Sequence, residues 1–401
     1  MRKRQTVVPA AAAMAAVVMV TALSAPPAVG RIKLATLPAR QRVEIQLENP
    51  RATLVEEERI VTLLAGTNHI DFSWTNTQID KRTILFRPLV KDNSVRVIHQ
   101  SYPPGEKALV WEVFAEKAGP VRVRISYLLG KLRRTLSYRA TATNDETALT
   151  LRHYMRVWNF SGEEYGTAQV WAGFGDRFQR EMGLNESKKL LAGKFDEVPV
   201  DKKFVFNWRT GRPVPDEPNQ RYVTMHYVLT NDEKHGLGQW PLPRGKARIF
   251  QMDGQDPPAE AFLGEDWGEF TPIDDEMKLY LGLARDLVVE RTVERNKRHK
   301  VHANRFHQEV IVKYAVQNFK DEPCTLDIEE DLNKLRDEFC GHKDHDTQWE
   351  LAKETTDIKQ VERKGAGQLE IHLPLPARPE KADEKSKEVA FRLHLWFRNE
   401  W

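Results

Sequence analysis

The sequence predicts an all-β protein: two or three antiparallel β-sandwich domains of immunoglobulin-like type, with little helix. Three observations carry this. Apolar and polar residues alternate with period two in many short segments, the pattern of strands half-buried on one face. Turn residues punctuate those segments, as in AGTN (65–68), YPPGE (102–106), LPRGK (242–246), MDGQD (252–256) and KGAG (364–367). Long amphipathic helical patterns are scarce, and many short strands with frequent turns suit sandwiches.

In chain order, segment 42–49 puts Val43, Ile45 and Leu47 on one face. Segment 68–74 does the same with Ile70, Phe72 and Trp74. Segments 94–100, 121–127, 150–159, 309–318 and 368–375 alternate similarly. One helix is expected, DRFQREMGLNESKKLLAG (176–193), ending at Gly193. Segment 376–388 reads as a charged hairpin loop. Segment 389–398 then supplies a last sandwich strand, with Phe391, Leu393, Leu395 and Phe397 facing inward. A weak internal echo runs through these elements. Asn159-Phe160 and Asn318-Phe319 each end an alternating strand and precede a polar turn. The asparagine can bond into the turn and the ring can anchor on the core, so two lobes built on one device are expected.

A chain of 401 residues exceeds a single core. The expected divisions are a first β domain over 31–125 and a β-sandwich region over 126–401. The latter has two possible lobes, 126–215 and 216–401, jointed near TGRPVPDEPNQ (210–220). Residues 1–30 differ in kind. MRKR precedes an uncharged apolar run, and small residues follow at Ala28 and Gly30, the pattern of a cleaved secretory signal peptide. A retained N-terminal anchor is the alternative reading of that run. No later segment is apolar enough to span a bilayer, so a periplasmic or extracellular location is expected. The 61 basic and 58 acidic residues nearly cancel, leaving a formal charge of +3 and no global pull toward nucleic acid.

Segment 242–294 resembles the central signature of an exported bacterial family, domain of unknown function 4139, related to mucoidy-inhibitor-like proteins. The residues that carry the likeness are Leu242, Pro243, Gly245, Phe262, Leu263, Gly264, Glu265, Thr271, Pro272, Gly282 and Asp286. Weaker likeness extends over roughly 50–330. The tryptophan often found in the family's middle strand is not evident near Leu136, and the His-rich segments are peculiar to this chain. The resemblance implies an exported, β-rich protein and assigns no catalytic residue. Physically, Gly245, Gly264 and Gly282 read as strand ends needing positive φ.

Three groups of residues could carry chemistry. Segment 339–350, FCGHKDHDTQWE, offers Cys340, His342 and His345 as zinc ligands, with Asp344 and Asp346 as further oxygens. It also reads as a solvated loop in which Cys340 pairs with Cys324, since export favours a disulfide. Segment 294–307 concentrates Arg295, Lys297, Arg298, Lys300 and Arg305, which could meet anionic groups or form a charged hairpin arm. Glu265 and Asp266 could act as glycosidase carboxylates only across a cleft, and solvated turn acids are commoner. Neither Gly-x-Ser-x-Gly nor His-Glu-x-x-His occurs. The expected function is a non-enzymatic envelope module that binds a protein or an anionic polysaccharide, without cofactor. The alternative is a zinc-dependent hydrolase or metal-binding protein.

Overall fold

The computed structural model describes residues 30–33, 38–49, 51–342, 348–379 and 387–401. Residues 1–29 of the expected signal peptide, Asp344, His345 and Asp346 lie outside them. The protein is all-β: strands make up 62% of it, in several mainly antiparallel sheets. Among the described residues the one α-helix is Leu332–Cys340. No helix among them is long and apolar enough to cross a membrane. The chain divides into two compact units: residues up to 41 with 57–75 and 85–125, and residues 42–56, 76–84 and 126–401.

The first unit contains a sheet ordered Gly30–Lys33, Gly66–Ser73, Ala108–Ala115, Val95–Ser101. Its apolar centre is aromatic: Trp111 lies 5.8 Å from the Phe72 ring and 4.8 Å from the Phe86 ring. Ile70, Leu109 and Val113 are fully buried around it, as alternation requires. The edge strand Val95–Ser101 departs from that pattern. Its Val97 and Ile98 are exposed, because only one side of it has a neighbour in this sheet.

The second unit contains three sheets. A five-stranded sheet runs Glu186–Pro199, Ala148–Asn159, Leu132–Ala142, Gly245–Met252, Glu260–Gly268. A six-stranded sheet runs Glu276–Ala284, Val223–Thr230, Asp201–Asn207, Cys324–Asp331, Gln368–Leu375, Val361–Arg363. A second six-stranded sheet runs Pro213–Val214, Glu217–Arg221, Leu287–His302, Arg305–Asn318, Val389–Glu400, Gln348–Leu351. Two apolar clusters fill the spaces. Tyr138, Leu151, Ile249, Tyr227 and Leu279 join the first sheet to the second. Phe206, Ile328, Ile371, Tyr314, Leu393 and Phe397 join the second to the third. The expected inward set Phe391, Leu393, Leu395 and Phe397 is wholly buried.

Parallel pairings occur too, between Leu132–Ala142 and Gly245–Met252 and between Asp201–Asn207 and Cys324–Asp331. Both join residues before 215 to residues after 216, so these two stretches interleave within shared sheets.

Segment 176–193 is not a helix. It forms strand Phe178–Glu181 and the start of strand Glu186–Pro199, with Asn185 at φ 55° between them. Pairing with Ala148–Asn159 buries Leu190, Phe195 and Val198, and this tertiary gain overrides local helix propensity. The helix that does form starts at Asp331, whose carboxylate accepts from the backbone N–H of Asn333 and Lys334. It ends at Gly341, φ 80°.

Cys324 and Cys340 are not joined by a disulfide. Cys324 opens an eight-residue strand that lays down about 23 Å. The nine-residue helix that follows can retrace only about 12 Å. Cys340 ends buried against the core instead.

Candidate functional site

Strands Leu132–Ala142, Ala148–Asn159 and Gly245–Met252 turn one set of residues to the core and the other outward. Inward go Tyr138, Ala140, Leu151 and Ile249. The outward set is basic and aromatic. Strand register places Arg152 opposite both Lys194 and Arg139, and Arg139 opposite Arg248. Lys194, Arg152, Arg139 and Arg248 therefore form a cross-strand row about 14 Å long. Like charges directly opposite each other destabilise a sheet. Three of the four charges are partly relieved. Lys194 Nζ bonds Asp196 at 2.6 Å, Arg139 pairs with Glu260, and Arg248 Nε lies 3.4 Å from Glu265. Among the described residues no carboxylate hydrogen-bonds Arg152 at the row's centre.

Two residues further along, Tyr154 lies on the same face, with Lys189 Nζ 3.8 Å from its ring centroid. Arg156 lies opposite Lys189 and 5.8 Å from the Trp158 ring. Burial and the nearby positive charges of Arg156, Arg248 and Arg139 hold the Lys189 pKa below its usual value. On the other flank the Arg139 guanidinium sits 3.7 Å over Phe250, whose ring lies 5.4 Å from exposed Phe262. Half-exposed Trp267 extends the face along the edge strand Glu260–Gly268. Cations and rings on one face of a sheet offer charge neutralisation and stacking, which are binding chemistries.

The underside of the same strand holds His153, fully buried and stacked between Tyr138 at 4.5 Å and Phe174 at 5.1 Å. Neither ring nitrogen has a hydrogen-bond partner. Burial, with the Arg134 charge adding to it, pushes its pKa down to about 3.

The residues singled out by sequence go elsewhere. Cys340 is buried, whereas the His342 side chain is exposed and 3.5 Å from Asp337. Arg295 and Arg298 lie on the hairpin of Leu287–His302 with Arg305–Asn318. Arg295 bonds the buried carboxylate of Glu309 at 2.7 Å, joined there by His299 at 2.8 Å and His394 at 3.1 Å. Burial opposes ionisation of Glu309, but bonds from Arg295 and His299 outweigh it and hold its pKa low. Arg298 stacks 4.4 Å from the Phe306 ring, while Lys297, Lys300 and Arg305 are exposed along the arm. Glu265 pairs with Lys246 and Arg248, and Asp266 accepts from the Tyr280 N–H at 2.7 Å. Both carboxylates are thus engaged in holding strands together.

The basic face escaped sequence reading because its residues come from four strands spread between Leu132 and Met252. The signal available was the outward half of each alternation: Arg152, Tyr154 and Arg156 in one strand, Lys246, Arg248 and Phe250 in another. Searches of protein-family models and of curated proteins found no match to the chain.

Proposed function

We propose that this protein is a non-enzymatic binding module whose five-stranded sheet docks an anionic polysaccharide. The carrying observation is the row Lys194–Arg152–Arg139–Arg248, four like charges held directly opposite one another at a cost to the sheet. A polymer with repeated carboxylates would relieve that repulsion. The flanking rings of Tyr154, Phe250 and Trp267 suit the apolar faces of sugar rings. The export pattern of residues 1–30 supports a polysaccharide over a nucleic acid, and a periplasmic or extracellular site of action. The resemblance of segment 242–294, and more weakly of roughly 50–330, to an exported family is in keeping with this reading.

The test is binding of polygalacturonate, neutral dextran and a single-stranded DNA oligomer to the purified chain at low and high salt. The expected result is salt-sensitive binding of polygalacturonate, none of dextran and weaker binding of DNA. Changing Arg152, Arg156 and Lys189 together to Ser should weaken it about tenfold or more with the fold intact by circular dichroism. Unchanged affinity in that variant, or equal binding of dextran, defeats the proposal. Tighter binding of DNA defeats the choice of polymer.

A further inference from the structure

The outward face of the first six-stranded sheet holds a different constellation. Strands Cys324–Asp331 and Gln368–Leu375 are antiparallel, with Asp327 opposite His372 and Glu329 opposite Glu370. Leu326, Ile328, Leu369 and Ile371 point into the core, so Asp327, Glu370 and His372 point away from it. Asp327 is nonetheless only 6% exposed. It sits where a cavity of about 540 Å³, shared with His372, meets one of about 260 Å³, shared with Glu370.

A buried carboxylate needs positive charge or hydrogen bonds to remain ionised. Asp327 has His372 Nδ1 at 2.7 Å, and the other ring nitrogen lies 3.3 Å from Glu362. One ligand atom from each of Asp327, Glu370 and His372 falls within 4.8 Å of the other two. That brings all three groups around one possible ion position, with side-chain adjustment needed to reach ligand distances. Two donors at about 2.05 Å from a tetrahedral ion are about 3.3 Å apart, so ligation asks the Asp327–His372 contact to open by roughly half an ångström.

We propose that Asp327, Glu370 and His372 bind a single divalent transition-metal cation of the zinc class. One imidazole and two carboxylates form a mixed N/O donor set, which suits zinc and its first-row neighbours better than calcium. Both cavities reach Asp327, so a coordination position is left facing solvent or a ligand. Glu362, opposite Glu370 in register, lies in place as an outer partner of the imidazole. Lys364, 2.9 Å from Glu362 and 3.5 Å from Glu370, balances the surplus acid charge around these groups. The site shares no residue with the basic face or with the Cys340–His342 segment.

The experiment uses untagged chain stripped with a chelator, titrated calorimetrically with Zn²⁺ and followed by visible absorption with Co²⁺. The expected result is one equivalent of Zn²⁺ and a Co²⁺ spectrum of low coordination number. His372→Gln and Glu370→Gln should each weaken binding by about 100-fold or more, and Glu362→Gln by about tenfold. His342→Ala should change nothing. Glu370 is only half-buried, so its variant tests the site even if His372→Gln fails to fold. Absence of stoichiometric binding, or loss of it in His342→Ala with His372→Gln unaffected, overturns the proposal.

Discussion

Asn159 and Asn318 show how single side chains finish these strands. Each is buried, and each donates its amide to the carbonyl four residues on, Glu163 at 2.8 Å and Glu322 at 3.0 Å. Each accepts from the N–H two residues on, Ser161 at 3.3 Å and Lys320 at 2.9 Å. The second donations, to Gly183 and Pro376, tie the turn to a distant segment. The repeated Asn-Phe pair was therefore legible as a turn device. Its aromatic half was misread, since Phe160 and Phe319 are both exposed. Asn159→Ala should cost about 2–3 kcal/mol in urea unfolding, because buried carbonyls lose their donor. His153 makes the second expectation at this scale. Its pKa of about 3 in the fold lies below its ordinary value of 6.5. Between those values the unfolded chain binds a proton that the folded chain refuses. Stability contributed here is full above pH 6.5 and falls as pH drops toward 3, by up to about 1.4 kcal/mol per pH unit. His153→Phe should flatten that part of a stability–pH curve, and an unchanged slope would assign the acid sensitivity elsewhere.

Whole elements were legible where alternation was strict. Segment 368–375 is a strand from first to last residue, and the tail strand runs Val389–Glu400 around its expected core. Reading failed where a local pattern competed with pairing partners. Segment 176–193 looked helical residue by residue, yet a neighbouring strand claimed it. The true helix announced itself through Asp331, Leu332, Leu335 and Gly341, but nine residues are too short for periodicity to stand out. Removing its cap with Asp331→Ala should cost about 1 kcal/mol. Gly245 was expected to need positive φ, and instead it lies against a neighbouring strand. A Cβ there would fall 2.9 Å from Tyr138 Cε2 and 3.0 Å from the Leu136 carbonyl oxygen. Gly245→Ala should therefore destabilise by about 1–3 kcal/mol, measured by thermal or urea unfolding. The hairpin arm offers the opposite case. Ala303 turns it at φ 48°, a conformation that costs a non-glycine residue roughly 1 kcal/mol, so Ala303→Gly should slow amide exchange near the tip.

Across the molecule, the sites were less legible than the fold because each gathers residues from separate strands. Arg139, Arg152 and Arg248 meet only through register, as do Asp327 and His372. A single sequence displays which residues alternate outward but not which strands are neighbours. The cysteines were misjudged for the same reason: their separation along the chain suited a bridge, and a strand followed by a short helix keeps them apart. Both thiols should accept an alkylating reagent in denaturant without prior reduction, as mass mapping would record. The placement of strand Val389–Glu400 also bears on biosynthesis. It inserts between Arg305–Asn318 and Gln348–Leu351, and four of its side chains fill the space between two sheets. Nascent polypeptide emerging from a ribosome cannot seal that space until about residue 400 has been made, so earlier lengths must travel with an open apolar groove. Polypeptides stopped at residue 388 should therefore remain protease-sensitive.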